Sequence, residues 1–360
     1  MRLFITLKFL FIYLLAATDW SAVNKVPTEI PEKTSKSVNH FLNSTPQNLN
    51  ERNIRGQIKS LINVNISDNH QLYRSDLLTA SEDFITIFDR GNFRFYQFDH
   101  ELELLRNFGR EGRGPGEFIH PIDLTVNENG NHLISDNRQN KISEISSDGE
   151  FVSDMMLPFG KIPHRFEIAD AQNLVLFSLT GSNMMTILDN EGEYVHSFMS
   201  IKGLTFNQRG FLLDGRIAAD EDTIYYTGTR NSMIKAYSLD GELLYSRTII
   251  DPLEIDLLAM SDHELRTSPI SALDIAVYKD KLLLLYPGPQ EDENRWKYLD
   301  IYEKNTGDYL YTYLLENFTR KIALVNNSSG DALISLGYYE ESEDLALSIY
   351  SLKNLDLFPD

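Results

Sequence analysis

Apolar and polar positions alternate along most of this chain in runs of strand length. In the stretch 121–156 the runs fall at 121–126, 131–135, 141–146 and 150–156, and the same draft fits 164–169, 173–178, 183–188 and 193–198. Runs this short, rich in Val, Ile, Leu, Tyr and Phe and bounded by Gly, Asn and Asp, predict β-strands rather than helices. A tight turn follows an alternating strand in each unit: QFDHEL with His100, ISSDGEF with Gly149, LDNEGEY with Gly192, YSLDGEL with Gly241, YEKNTGDY with Gly307 and YSLKNLD with Asn354. Asp-Gly and Asn-rich turns supply the positive φ that short hairpins demand.

These six marks lie 49, 43, 49, 66 and 47 residues apart. A repeat of about 40–50 residues with several short strands per unit predicts an all-β propeller, here with six blades. The long fourth interval contains DPLEIDLLAMSDHELRT at 251–267, whose Leu253, Leu257, Met260 and Leu265 fall near helical spacing. Ser261 and Glu264 form a capping-box signature there, so the interval predicts one short helical insertion. The sixth unit shows runs at 320–326, 331–336 and 343–351, with only LDLFPD after them. Closure of the ring then needs an N-terminal strand, and QIKSLINVNIS at 57–67 is the unassigned candidate. Such closure leaves no long open edge.

Four glycines and a proline crowd 109–116 in NFGREGRGPGEFIHPIDLTV. The order is neither G-x-G-x-x-G nor G-x-x-x-x-G-K-[ST], a Glu stands where a phosphate needs a donor, and a strand follows instead of a helix. The stretch reads as a corner between sheets. The repeat at 107–156 resembles NHL-type, TolB-like six-bladed propellers, and specifically an exported bacterial family in which a G-x-G-P-G-E-F connector leads into a P-x-x-φ-x-V strand. One repeat carries that resemblance closely, and the others share its turns and strand spacing. It implies the fold and says little about activity.

The first 22 residues pair Arg2 and Lys8 with an apolar run from Phe9 to Ala17, the layout of a secretory signal, with an uncleaved anchor as the alternative. Residues 23–56, rich in Asn, Ser, Thr, Pro and Lys, read as a flexible tether, and 57–360 as the propeller. The expectation is an exported, periplasmic or extracellular monomer with no transmembrane span in its mature part. The chain has no cysteine, which excludes disulfides, thiolate metal sites and a lipid-anchored Cys. Its net charge of −20 argues against nucleic acid, because phosphate contacts need clustered Lys and Arg.

In a propeller the loops leading into the innermost strands meet at one mouth of the central channel, where ligands usually bind. The residues at those positions are His120, Asp123, His164, Arg165, Asp214, Arg216, Asp274 and Arg320. The two histidines with the acids suit a metal, and the arginines suit a carboxylate. The plain alternative is a set of channel-lining polar residues paired with one another and with water. His263-Glu264 lacks the second His of H-E-x-x-H, no G-x-S-x-G elbow occurs, and the acidic turn at 189–192 is too short for a calcium loop. Trp296, at the end of the loop 287–296, is either a rim anchor or a cover over its blade. The favoured function is a binding or scaffolding module that recognises a protein, peptide or glycan at the mouth. The wider resemblance implies an alternative, a metal-dependent hydrolase or lyase of the lactonase kind that uses calcium or zinc.

Overall fold

In the computed structural model of the protein, the described residues are 38–49, 51–67, 72–158, 162–170, 172–200, 203–204, 206–253, 260–327, 330–340, 342 and 344–354. The predicted signal at 1–22, and Leu257 of the predicted insertion, lie outside them. Six sheets of four or five strands, antiparallel but for one added strand, follow one another along the chain. Their innermost strands are Ser75–Ala80, Pro121–Val126, Arg165–Asp170, Gly215–Asp220, Asp274–Tyr278 and Phe318–Asn327. Each packs beside the next, and the sixth returns to the first, so the sheets form a ring of six blades around a channel.

The second strand of a blade has both faces covered by neighbouring blades. Thr223–Gly228 and Lys281–Tyr286 are buried at every position, which is why 282–286 reads as a continuous apolar run, LLLLY. The outermost strand has no such cover, and Phe151–Met156 is exposed along nearly its whole length. Apolar clusters accordingly span pairs of blades. One unites Tyr225 and Ile234 of the fourth blade with Leu282, Leu284 and Tyr302 of the fifth. Each such side chain removed from water contributes about 1.5–3 kcal/mol, and together they hold the blades face to face without disulfides.

Four of the predicted hairpins share one geometry. The N–H of Asp99, Ser146, Asp189 and Ser238 each bonds the carbonyl four residues on, and the residue three on bonds back to it. That third residue has positive φ: Leu102 at 63°, Gly149 at 85°, Gly192 at 86° and Gly241 at 85°. In the first blade the equivalent position is therefore Leu102, not His100. Leu102 tolerates the left-handed conformation because the Asp99 carboxylate caps the N–H groups of Glu101 and Glu103, at 3.0 and 2.8 Å. Asn354 marks no hairpin; it ends a short 3₁₀ turn, Leu352–Asn354.

The sixth blade takes its outer strand from the N-terminal side of the chain, as the fold requires. Ile62–Asn65 pairs antiparallel with Leu345–Ser351, Ile62 opposite Ile349 and Asn65 opposite Ala346. The described part of the predicted tether is not free. Residues 38–42 are helical and bury Val38 and Phe41 against the third and fourth blades. Thr45 pairs with the outer edge of the fourth blade, and Gln47 donates to the carbonyls of Thr248 (2.6 Å) and Gly307 (2.9 Å), bridging the fourth and fifth. Arg52 is buried in an ion pair with Asp300, its guanidinium 4.3 Å from the Tyr286 ring and 5.1 Å from that of Tyr298. Ile54–Ile58 then adds a parallel fifth strand beside Tyr309–Leu315. Composition suggested disorder because the anchoring residues are few and widely spaced along a polar background.

A helix, Asp262–Thr267, occupies the predicted insertion. Ser261 Oγ accepts from Glu264 N while the Glu264 carboxylate accepts from Ser261 N, and Leu265 is buried. A second helix, Phe206–Leu212, packs against it and was not anticipated. The glycine-rich stretch is a corner. Arg110–Glu111 and Glu117–Phe118 pair, and the Glu117 carboxylate fills the loop, accepting from Gly114 N at 2.7 Å and pairing with Arg110 at 2.6 Å. A Cβ at Gly112 would collide with that carboxylate, so the glycine is a matter of space. The loop binds its own anion.

Candidate functional site

Where the chain enters its innermost strands, a cavity of about 360 Å³ opens at one mouth of the channel, lined by residues of all six blades. Of the eight residues read from sequence, His120, His164, Arg165, Arg216 and Arg320 line it. Asp123, Asp214 and Asp274 stand behind that lining and tie it together. Asp123 accepts from Phe166 N of the next blade at 3.0 Å, and Asp274 accepts from Ile322 N at 3.0 Å. Asp214 accepts from His164 Nε2 at 2.8 Å. Arg216 donates to the Leu273 carbonyl at 2.8 Å, and Arg90 to the Pro121 carbonyl at 3.2 Å. Polar side chains of the mouth thus cross five consecutive blade junctions.

The Asp214 carboxylate only accepts, so the proton of the His164 pair sits on Nε2. Burial lowers the His164 imidazole and, with Arg165 and Arg216, outweighs the Asp214 carboxylate, which raises it, so the ring is neutral near pH 7. Burial alone would raise Asp214, but the His164 hydrogen bond and the two arginines hold it well below the usual carboxylate range. His120 turns its Nδ1 to Asn137 Oδ1 at 2.8 Å. The two histidines therefore point to separate partners. Among the described residues no three His, Asp or Glu side chains converge in a metal-ligating group. The mouth as it stands does not fit calcium or zinc.

Sequence reading missed Asp76, Arg90 and Lys321, which line the same cavity, and Glu167, which lies further along the channel face. Asp76 and Lys321 were hidden by bulges. The register shifts between Ser75 and Leu77 in the first blade, between Thr319 and Lys321 in the sixth, and opposite Ile122 in the second. A bulge re-aims side chains that strict alternation would send to opposite faces. In the sixth blade it lets consecutive Arg320 and Lys321 both line the cavity. Arg90 follows the second strand of the first blade, where the buried Asp89 caps the incoming chain at Arg74 N (2.6 Å). Asp136 does the same in the second blade for Ile119 and His120, at 2.6 and 3.0 Å. That shared Asp, in FDRGN and SDNRQ, was a legible signal for the rim.

Two other sequence candidates are structural. His263 lies on the inserted helix, and the Asp189 carboxylate caps its own hairpin at Glu191 N and Glu193 N, both at 2.9 Å. Trp296 packs partly against the core shared by the fifth and sixth blades.

Comparison with known proteins agrees with the ring. Among curated proteins none matches the chain. A crystal structure of a protein from Bacteroides fragilis NCTC 9343, provisionally described as exported, superposes with a TM-score of 0.51 at 14% identity, covering 83% of this chain and 99% of that one. Virginiamycin B lyase from Staphylococcus aureus, crystallised with quinupristin, gives 0.49 at 13% identity over 81% of this chain and 88% of that one. At 14% identity the first likeness shows the fold alone, and nothing is argued from the second. The model of the 6-bladed beta-propeller family matches residues 51–248, more than half of the chain, and the protein belongs to that family.

Proposed function

We propose that the protein is an exported binding or scaffolding propeller that takes a protein, peptide or glycan ligand at the mouth of its channel. The observation that carries this reading is the cavity itself, to which every blade contributes and whose lining is held in place by ties between blades. A pocket preorganised in this way loses little entropy when it is filled. The joint variant His164→Ala with Arg165→Ala is expected to abolish ligand capture while lowering the melting temperature by only a few degrees. Undiminished capture by the folded variant overturns the reading. Export is supported by the charged and apolar N-terminal pattern, and no described helix is long and apolar enough to cross a membrane. A reporter joined after residue 37, ahead of the packed segment, is expected outside the cytoplasm; retention inside overturns export.

One observation favours the hydrolase or lyase alternative. His164, oriented and kept neutral beside Asp214, has the layout of a general base with its orienting carboxylate. Ester or lactone turnover that disappears in His164→Asn would establish it.

A further inference from the structure

The cavity wall is charged against the grain of the molecule. In a chain of net charge −20, its lining carries five cations, Arg90, Arg165, Arg216, Arg320 and Lys321, and one carboxylate, Asp76. That carboxylate is taken by Arg90, whose Nε lies 2.7 Å from it. Arg216 and Lys321 share Asp274, at 3.9 and 3.5 Å. Two cations make no ion pair among the described residues, although Asp123, Asp214 and Asp274 attract Arg165 from behind the wall. Arg165 donates to the His164 carbonyl, while its Nε is buried without an acceptor. Arg320, exposed, stands against the Tyr338 ring, donates to its hydroxyl at a long 3.4 Å, and makes no ion pair among the described residues. A buried guanidinium donor with nothing to bond costs free energy that a ligand oxygen would recover. Between these cations Leu77, Ile122, Leu273 and Leu336 give the wall an aliphatic part, beside the neutral polar Ser75, His120, Asn137 and His164.

Taking the mouth as the binding site, we propose that its ligand is a carboxylate on a small aliphatic body, the acid held by Arg165 and Arg320 and the body resting on the four aliphatic side chains. A phosphate would gain from the cations but nothing from the aliphatic part. A neutral sugar would leave the Arg165 donor without an ionic acceptor. Guanidinium groups suit a carboxylate because they offer two parallel donors to its two oxygens. The acid can come from a free small molecule or from the C-terminus of a peptide.

Titration calorimetry on the purified protein separates these cases. The probes are N-acetyl-leucine, its amide, an N-acetylated pentapeptide ending in leucine in acid and amide forms, and inorganic phosphate. The acids are expected to bind, with the amides and phosphate at least tenfold weaker. Arg165→Gln and Arg320→Gln are each expected to weaken the acids about ten- to a hundredfold. Arg320 is exposed, so its variant keeps the parent melting temperature even if the Arg165 variant does not. A pentapeptide acid that binds more tightly than N-acetyl-leucine identifies a peptide C-terminus as the source, and equal binding identifies a free acid. Amides or phosphate that bind as well as the acids, acids that bind Arg320→Gln as well as the parent, or acids that do not bind at all, overturn the carboxylate assignment. Binding of the amides that the mouth variants abolish would still leave the channel mouth a binding site.

Discussion

Glu167 sits two residues along the strand from Arg165 and so shares its face toward the channel. Burial raises its carboxyl well above the ordinary glutamate range; Asp123 and Asp274 push the same way and outweigh the attraction of Lys321. The folded protein therefore keeps this proton after the unfolded chain has released it. At pH 4, below the ordinary glutamate value, both states are mostly protonated and the site costs little. As pH rises past the ordinary glutamate value, the unfolded chain ionises alone and stability falls, until the folded carboxyl ionises too. Glu167→Gln removes that penalty. Its melting temperature is expected to exceed the parent's by a few degrees at pH 7 and to match it at pH 4; an equal difference at both values overturns the assignment. Nothing in the sequence announced this residue. A single acid in RFEIAD looks like any alternating strand position, and its environment is made by Asp123, Asp274 and Lys321, which come from three other blades.

Elements were more legible than residues, because they rest on local rules. The strand drafts of the second and third blades agree with the observed Pro121–Val126, His132–Asp136 and Asn173–Phe177 to within a residue or so at each end. The capping box at Ser261 and Glu264 forms as its spacing required. What escaped reading depends on contacts distant in sequence. The helix Phe206–Leu212 carries an interior glycine, Gly210, and no acidic residue in its first turn, so its propensity is poor. It is kept helical by packing against Asp262–Thr267, with Leu212 buried in the core beside Leu265. The packed residues at 43–49 and 51–56 were equally silent, since Gln47 and Arg52 are unremarkable until Gly307, Tyr309 and Asp300 are brought to them. The same logic explains the candidate site. The mouth positions followed from periodicity, but the bulges that decide which side chains face inward did not.

At the scale of the whole molecule the ring poses a closure problem that local rules do not solve. The first five blades are each built from four consecutive strands, whereas the sixth joins three strands near the C-terminus to Ile62–Asn65, nearly 300 residues away in sequence. Without that strand, Leu345–Ser351 would become an edge, and Ile66, now fully buried, would lose its place in the core shared by the sixth and first blades. The strand Ile54–Ile58 is different in kind, because it adds to a fifth blade that already has its four strands. The two contributions are separable by truncation. The chain lacking residues 1–37 serves as the reference. Removal of 1–60 takes away the Arg52 ion pair and the parallel strand, and is expected to lower the melting temperature while preserving a single transition. Removal of 1–66 opens the ring and is expected to abolish cooperative unfolding or to lower the transition by on the order of 10 °C more. A 1–66 truncation that melts with the same cooperativity and midpoint as the 1–60 truncation would show that the ring is held by blade-to-blade packing alone, and that the closing strand contributes register rather than stability.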